Sequence, residues 1–258
     1  MKRNVDCGLC TECFKSCPYD NVSLVWRRGP WNDRFSSYGE VWQATVLLVL
    51  ALAYALTIHS PWPAIRDIVN MVDKANWVTF GLYAMVVWGL ALGVIPFFFW
   101  LTTALGLRLA QGGEGTDNPT DKKPGLLRKQ VFTREVGQAL MATMPCIIPL
   151  GITLWASFFA ATIMVNFTFV LMTLSDPLGW GWNLLGIAGM PWIQIWPSGI
   201  PWIQTALVLA GLTMTLKKGH ELWSDFVGEE EKALKAFVPT AVILVALAVG
   251  MLVYFTNY

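Results

Sequence analysis

Five long stretches without a charged side chain dominate the pattern of hydrophobic and polar positions along the chain. They are residues 41–65, 75–107, 136–175, 177–216 and 236–258. A run of about 18 or more apolar residues is long enough to cross a lipid bilayer as a helix. Helices are favoured there because lipid offers no partner to an unpaired backbone group. The pattern therefore predicts an α-helical integral membrane protein.

The charge-free stretches and the polar segments between them predict about five transmembrane helices within a domain of residues 42–258. The predicted spans are residues 42–59, 78–107, 136–173, 203–216 and 237–255. Between the first two spans, apolar residues recur at helical spacing within residues 60–77. This spacing predicts a short amphipathic helix that lies at the membrane interface.

Two segments do not fit a simple span. The 40 residues 136–175 would form a helix of about 60 Å, twice the thickness of the hydrocarbon core, so the helix either projects beyond the membrane or breaks at Pro145 or Pro149. Residues 176–202 contain five tryptophans and four prolines. That composition is typical of an irregular segment at the level of the lipid headgroups.

The distribution of lysine and arginine predicts the orientation of the chain. Sixteen of the eighteen lie in residues 1–41, 107–135 and 217–236, and the other two are Arg66 and Lys74. With five spans, those three basic segments fall on one side of the membrane, and the positive-inside rule makes that side cytoplasmic. The sequence therefore predicts a multi-pass protein of the cytoplasmic membrane, with its N-terminus in the cytoplasm and its C-terminus outside.

Composition supports the membrane assignment and adds little about soluble partners. The chain is 55% hydrophobic and 14% charged, whereas ordinary soluble domains are about 25% charged. Its net charge is only +1, and we expect the lipid bilayer, rather than a nucleic acid, as a partner. The spans contain no ionisable residue well inside them, although proton relays and ion paths are usually marked by such residues.

Four cysteines near the start of the chain carry the strongest chemical signal. The sequence "CGLCTECFKSCP" spaces Cys7, Cys10, Cys13 and Cys17 as C-x2-C-x2-C-x3-C-P, which is the bacterial ferredoxin run that holds [4Fe–4S] clusters. Three thiolates at such short intervals can wrap a loop around one cube. Residues 1–41 are thus predicted to form a short, cytoplasmic, ferredoxin-like iron–sulfur segment with these four cysteines as metal and cofactor ligands.

Zinc binding is the main alternative for the cysteine run. Structural zinc sites usually take two C-x-x-C pairs that are separated by a longer insert, which this run lacks. A disulfide framework is not expected in a cytoplasmic segment. The spacing favours iron–sulfur.

The run also resembles half of a two-cluster ferredoxin, in which the fourth cysteine of each run ligates the other cluster. By that logic Cys7, Cys10 and Cys13 bind one cube and Cys17 reaches a second. The remaining cysteine, Cys146, lies inside an apolar span and cannot complete a cytoplasmic cluster. We therefore expect one or two clusters that are shared with a second subunit, which supplies the complementary cysteines. The alternative is that Cys17 folds back onto the first cluster.

From "CGLCTECFKSCPYDNVSL" onward, the chain resembles the C-terminal half of membrane-bound polyferredoxins related to NapH and NosR, the FesM-like 4Fe–4S proteins. The "MPCIIPLGITLW" segment (144–155) and the "WIQTALVLAGLTMTLKKG" segment (202–219) also resemble that family, less specifically. Members usually begin with further transmembrane helices and a C-x3-CP element, which do not precede the run here. The resemblance thus implies a split protein whose front half is a separate subunit with further helices.

The resemblance implies a non-catalytic electron-transfer subunit of a respiratory-type oxidoreductase complex. Electrons would pass through clusters at the cytoplasmic face between other redox subunits, with quinone as a further candidate cofactor. An iron–sulfur redox sensor and an assembly or maturation factor in the membrane are the alternatives. The two histidines are predicted on opposite sides of the membrane, His59 at the outer end of the first span and His220 on the cytoplasmic side after the fourth. They therefore cannot be the axial ligands of one haem.

Overall fold

The computed structural model describes residues 34–56, 62–70, 75–111 and 125–256, and all the regular structure within them is helical. Eight α-helices are α1 (Tyr38–Leu56), α2 (Trp62–Val69), α3 (Trp77–Gly89), α4 (Ile95–Gln111), α5 (Gly125–Thr143), α6 (Ile147–Ser175), α7 (Ile200–Val227) and α8 (Glu230–Thr256). A π-helical turn (Leu90–Val94) joins α3 to α4, and 3-10 turns precede α6 (Met144–Cys146) and α7 (Pro197–Gly199). Residues 1–33 of the predicted iron–sulfur segment, with all four cysteines, lie outside the described residues, and residues 34–41 lead into α1 and form its first turn.

Four helical stretches are long and apolar enough to cross a membrane, and each of them covers one of the predicted spans. They are Trp77–Gln111, Thr133–Ser175, Pro197–Val227 and Glu230–Thr256. The first predicted span, residues 42–59, overlaps α1, which is apolar but shorter. Its role as a fifth crossing stays a prediction, because residues 57–61 lie outside the described part of the chain. The amphipathic helix predicted within residues 60–77 is present as α2, and its location at the membrane interface stays a prediction.

Five helices close into a ring, since α1 packs on α6, α6 on α7, α7 on α8, α8 on α4 and α4 on α1. Facing residues give the directions of neighbours. Leu150 and Thr153 of α6 meet Thr215 and Gly211 of α7, so these two helices are antiparallel. Thr102 of α4 meets Thr240 of α8, and these two are antiparallel as well.

The first helix runs parallel to the long helical stretch that begins at Thr133. Gly137 meets Tyr38, Gly151 meets Leu48, and Phe158 stacks near Tyr54. For these two stretches to run in the same direction, the chain must return between them through a stretch that runs in the opposite direction. Trp77–Gln111 is that stretch. The helix directions therefore agree with a layout in which successive spans alternate.

Two of the long helical stretches deviate from regular α-helix near a proline, Trp77–Gln111 near Pro96 and Thr133–Ser175 near Pro145. Pro96 lacks an N–H group and its ring would meet the carbonyl of Leu92 in a regular helix. The preceding π-helical turn widens the helix, and the N–H of Ile95 bonds to the carbonyl of Leu90 instead. The 40-residue stretch does not end at Pro145, because a 3-10 turn continues the helix through it.

Candidate functional site

The chain enters the bundle from the cysteine segment at a fixed point. The N–H of Phe35 donates to the carbonyl of Met141 over 2.9 Å, and the Phe35 ring packs against the buried core. Two residues on, the Ser37 hydroxyl accepts from the N–H of Glu40 at the start of α1. The Glu40 carboxylate in turn accepts from the N–H and hydroxyl of Ser36, at 2.7 and 2.6 Å. Residues 34–40 are therefore anchored beside α5.

The four predicted ligands, Cys7, Cys10, Cys13 and Cys17, all lie outside the described residues, so their arrangement stays a prediction. Phe35 follows Cys17 by 18 residues, and its contact with Met141 fixes where the cysteine segment joins the bundle. This junction is at the end of the bundle where α5 lies and where α7 ends. Within residues 34–56, 62–70, 75–111 and 125–256, no group of three or more His, Cys, Asp or Glu side chains is placed to hold a metal ion.

The fifth cysteine is buried in the core of the bundle. Cys146 closes the 3-10 turn before α6 and is 1% exposed. It packs among apolar side chains and has no second cysteine near it in the described structure. This position agrees with a packing role for Cys146.

Charged side chains gather at that same end of the bundle. Neighbouring residues on α7 and α8 form ion pairs there: Lys218 with Glu221 at 2.9 Å, Lys232 with Glu229 at 2.8 Å and Lys235 with Glu231 at 2.6 Å. His220 is half-buried on α7 among these charges, and His59 lies outside the described residues. Because these pairs are solvent-exposed, each contributes little to stability.

The opposite end carries the tryptophan-rich segment, part of which packs alongside α6. The Thr168 hydroxyl of α6 both donates to the carbonyl and accepts from the N–H of Ile193. The N–H of Ile195 donates to the carbonyl of Met164 over 2.9 Å. Met164 is eleven residues from the end of α6 at Ser175, about 16 Å along the helix. Residues 190–196 thus return alongside the last three turns of α6.

Buried polar side chains inside the bundle are the functional candidates that the sequence analysis missed. Among the residues that the structure describes, ten polar side chains are buried, and eight of them have a hydrogen-bond partner, such as Thr240 with Thr102 at 3.2 Å. Gln204 and Ser157 have none among the described residues. Gln204 could have been noticed in the sequence as an amide inside the apolar run 203–216, although its burial depends on which helix faces it.

Comparisons with known proteins add no relative, because no protein-family model, curated protein or solved structure matches this chain.

Proposed function

We propose that this chain is the membrane-anchored iron–sulfur subunit of an oxidoreductase complex. In this proposal, one or two [4Fe–4S] clusters at the cytoplasmic face relay electrons between other redox subunits and a carrier such as quinone. The single observation that carries the proposal is the spacing of Cys7, Cys10, Cys13 and Cys17. The inorganic cluster would supply the redox chemistry, and the chain would hold and position it.

The helical bundle supports this proposal as an anchor. It contains four helical stretches that are long enough to cross a membrane. The contact between Phe35 and Met141 ties the chain to the bundle 18 residues after Cys17, so an attached cluster would be held near one end of the helices. A cluster held in this way would remain close to the membrane surface.

The two-cluster form of this proposal also requires a second subunit. A run of four cysteines of this kind gives three thiolates to one cluster and one to another, so the second cluster needs thiolates that this chain lacks. Cys146 is buried in the helix core and cannot supply one. The partner would therefore bring a complementary cysteine run and its own helices.

The decisive experiment measures iron and EPR signals in the complex purified from its native membrane. Two interacting reduced cubes and a co-purifying subunit with cysteines would support the shared-cluster proposal. One cube on the chain without a partner would retain the electron-transfer role but exclude shared ligands. Zinc in place of iron would exclude electron transfer through this chain.

Two serine variants make that experiment specific to the proposed ligands. Cys13→Ser removes a thiolate from the first cube, and we expect loss of iron and of its EPR signal. Cys146→Ser is the matched control, because it removes the buried cysteine and should leave the iron content unchanged. Equal iron in both variants would contradict the assignment. Reoxidation of the reduced clusters by a soluble quinone analogue then separates an electron carrier from a sensor or a maturation factor.

A further inference from the structure

Gln204 is the one long polar side chain that the described bundle buries completely. Its exposed fraction is 0%, and neither its amide N–H2 nor its amide oxygen has a hydrogen-bond partner among the described residues. Burial of an unpaired amide is costly because the side chain loses its hydrogen bonds to water. Folded proteins therefore nearly always provide such groups with a partner, which is either another protein group or an ordered water molecule.

The position of Gln204 follows from the register of α6 and α7. Thr153 faces Gly211, and the Leu150 N–H donates to the Thr215 hydroxyl over 3.1 Å. Gln204 lies seven residues before Gly211, so the two residues are on the same face of α7. The same step forward along the antiparallel α6 reaches Ala160 and Ala161. The amide therefore lies level with two alanines, whose side chains are single methyl groups.

A second unpaired polar atom lies close to this point. The hydroxyl of Ser157 is buried and has no partner in the part of the chain that the structure describes. Ser157 precedes Ala161 by four residues, so both lie on one face of α6, one helical turn apart. Two facing helices thus each carry an unpaired polar group near the same level of the bundle.

We propose that Gln204 and Ser157 hold ordered water between α6 and α7. A molecule bound at this site must donate a hydrogen bond to the amide oxygen and accept one from the amide N–H2, and water does both. An internal site of this kind needs two or more polar partners, and the three unpaired atoms supply them. Neither Gln204 nor Ser157 takes part in the proposed iron–sulfur function, so the water site is independent of that function.

The test is hydroxyl-radical footprinting of the full protein in its native complex, with radicals generated by X-ray radiolysis of water. Radiolysis of ordered water inside a protein produces hydroxyl radicals at that place. These radicals oxidise the neighbouring side chains, even where bulk solvent has no access. Ile200 and Val208 lie one turn to either side of Gln204 and are 7% and 0% exposed. We expect both to be oxidised severalfold faster than Leu48, which is 1% exposed on α1 without an unpaired polar neighbour.

Two variants check the assignment. Gln204→Met keeps the length of the side chain but removes its polar atoms, so oxidation of Val208 should fall to the level of Leu48. Thr215→Val, which removes a polar group that has a protein partner, should leave Val208 oxidised. Wild-type oxidation of Ile200 and Val208 no faster than that of Leu48 would overturn the proposal, whether or not the variants fold. A lipid-phase molecule found bound at Gln204 by native mass spectrometry would overturn it too.

Discussion

At the scale of single residues, glycines decide how closely the helices approach. A Cβ atom on Gly106 would collide with the carbonyl oxygen of Ala236, so α4 and α8 are in contact through their backbones there. Small residues at such crossings are typical of helix packing in membranes. Gly250, on α8, has nothing within 4 Å of its Cβ position and could carry a side chain freely.

This difference predicts opposite outcomes for two alanine substitutions. Gly106→Ala should lower the free energy of unfolding by about 1–3 kcal/mol, because a backbone carbonyl cannot move aside as a flexible side chain can. Gly250→Ala should leave it unchanged or raise it by about 0.5–1 kcal/mol through the lower entropy of the unfolded chain. Unfolding titrations in detergent measure both values, and equal effects would contradict the close approach.

A second residue-scale prediction concerns the start of α6. The N–H of Leu150, one residue after Pro149, donates to the hydroxyl of Thr215 on the facing helix over 3.1 Å. Thr215→Val should therefore lower the free energy of unfolding by about 0.5–1.5 kcal/mol, because it removes a buried hydrogen bond between the two helices.

The matched control is Thr213, whose hydroxyl bonds to the carbonyl of Ala210 in its own helix and faces outward. Thr213→Val should change the free energy of unfolding by no more than about 0.5 kcal/mol. The same unfolding titrations serve here, and a Thr215→Val protein as stable as Thr213→Val would refute the interhelical role.

At the scale of elements, the stretch from α3 to α4 differs from the other long helices. In its most apolar part, 11% of the residues are buried, against 33–39% in the other three stretches. None of the residues of α3 is buried, and large side chains such as Trp77, Val86 and Trp88 are more than half exposed. Apolar exposure of this extent fits a helix that is surrounded by lipid.

Membrane insertion tests this interpretation. Val86 lies nine residues, or about 14 Å, beyond Trp77 along the helix, close to half the hydrocarbon thickness. Val86→Asp should cost about 2.5–3.5 kcal/mol of insertion free energy and reduce the carbonate-resistant membrane fraction. Leu184→Asp changes an equally exposed side chain in the irregular segment before α7 and should remain inserted. Full insertion of both variants would argue against a lipid-facing α3.

The element scale also shows where helix boundaries differ from the sequence prediction. The predicted span 203–216 ends before Lys217, whereas α7 continues to Val227 and α8 begins at Glu230. Charged residues end a membrane span without ending a helix. Gly228 ends α7, since it adopts a left-handed conformation with φ of 83°. The basic segment 217–236 is therefore helical on both sides of a tight turn at Gly228.

At the scale of the whole molecule, the ring of helices predicts which segments share a side of the membrane. The directions of α6, α7 and α8 alternate, so the segment around Gly186 and the turn at Gly228 lie at opposite ends of the bundle. Reporter fusions after each glycine measure this directly. Alkaline phosphatase should be active after Gly186 and inactive after Gly228, and the reverse pattern would invert the predicted orientation.

The sequence by itself determined the helical class, four stretches long and apolar enough to cross a membrane, and the cysteine run, because charge-free length and ligand spacing are local properties of the chain. The tertiary structure decided what depends on facing elements. It placed residues 190–196 alongside α6, seated Phe35 at Met141, and made Gly106 a contact between backbones. Gln204 shows the difference most clearly, since its type is visible in the sequence. Its complete burial without a partner follows only from the helix that packs against it.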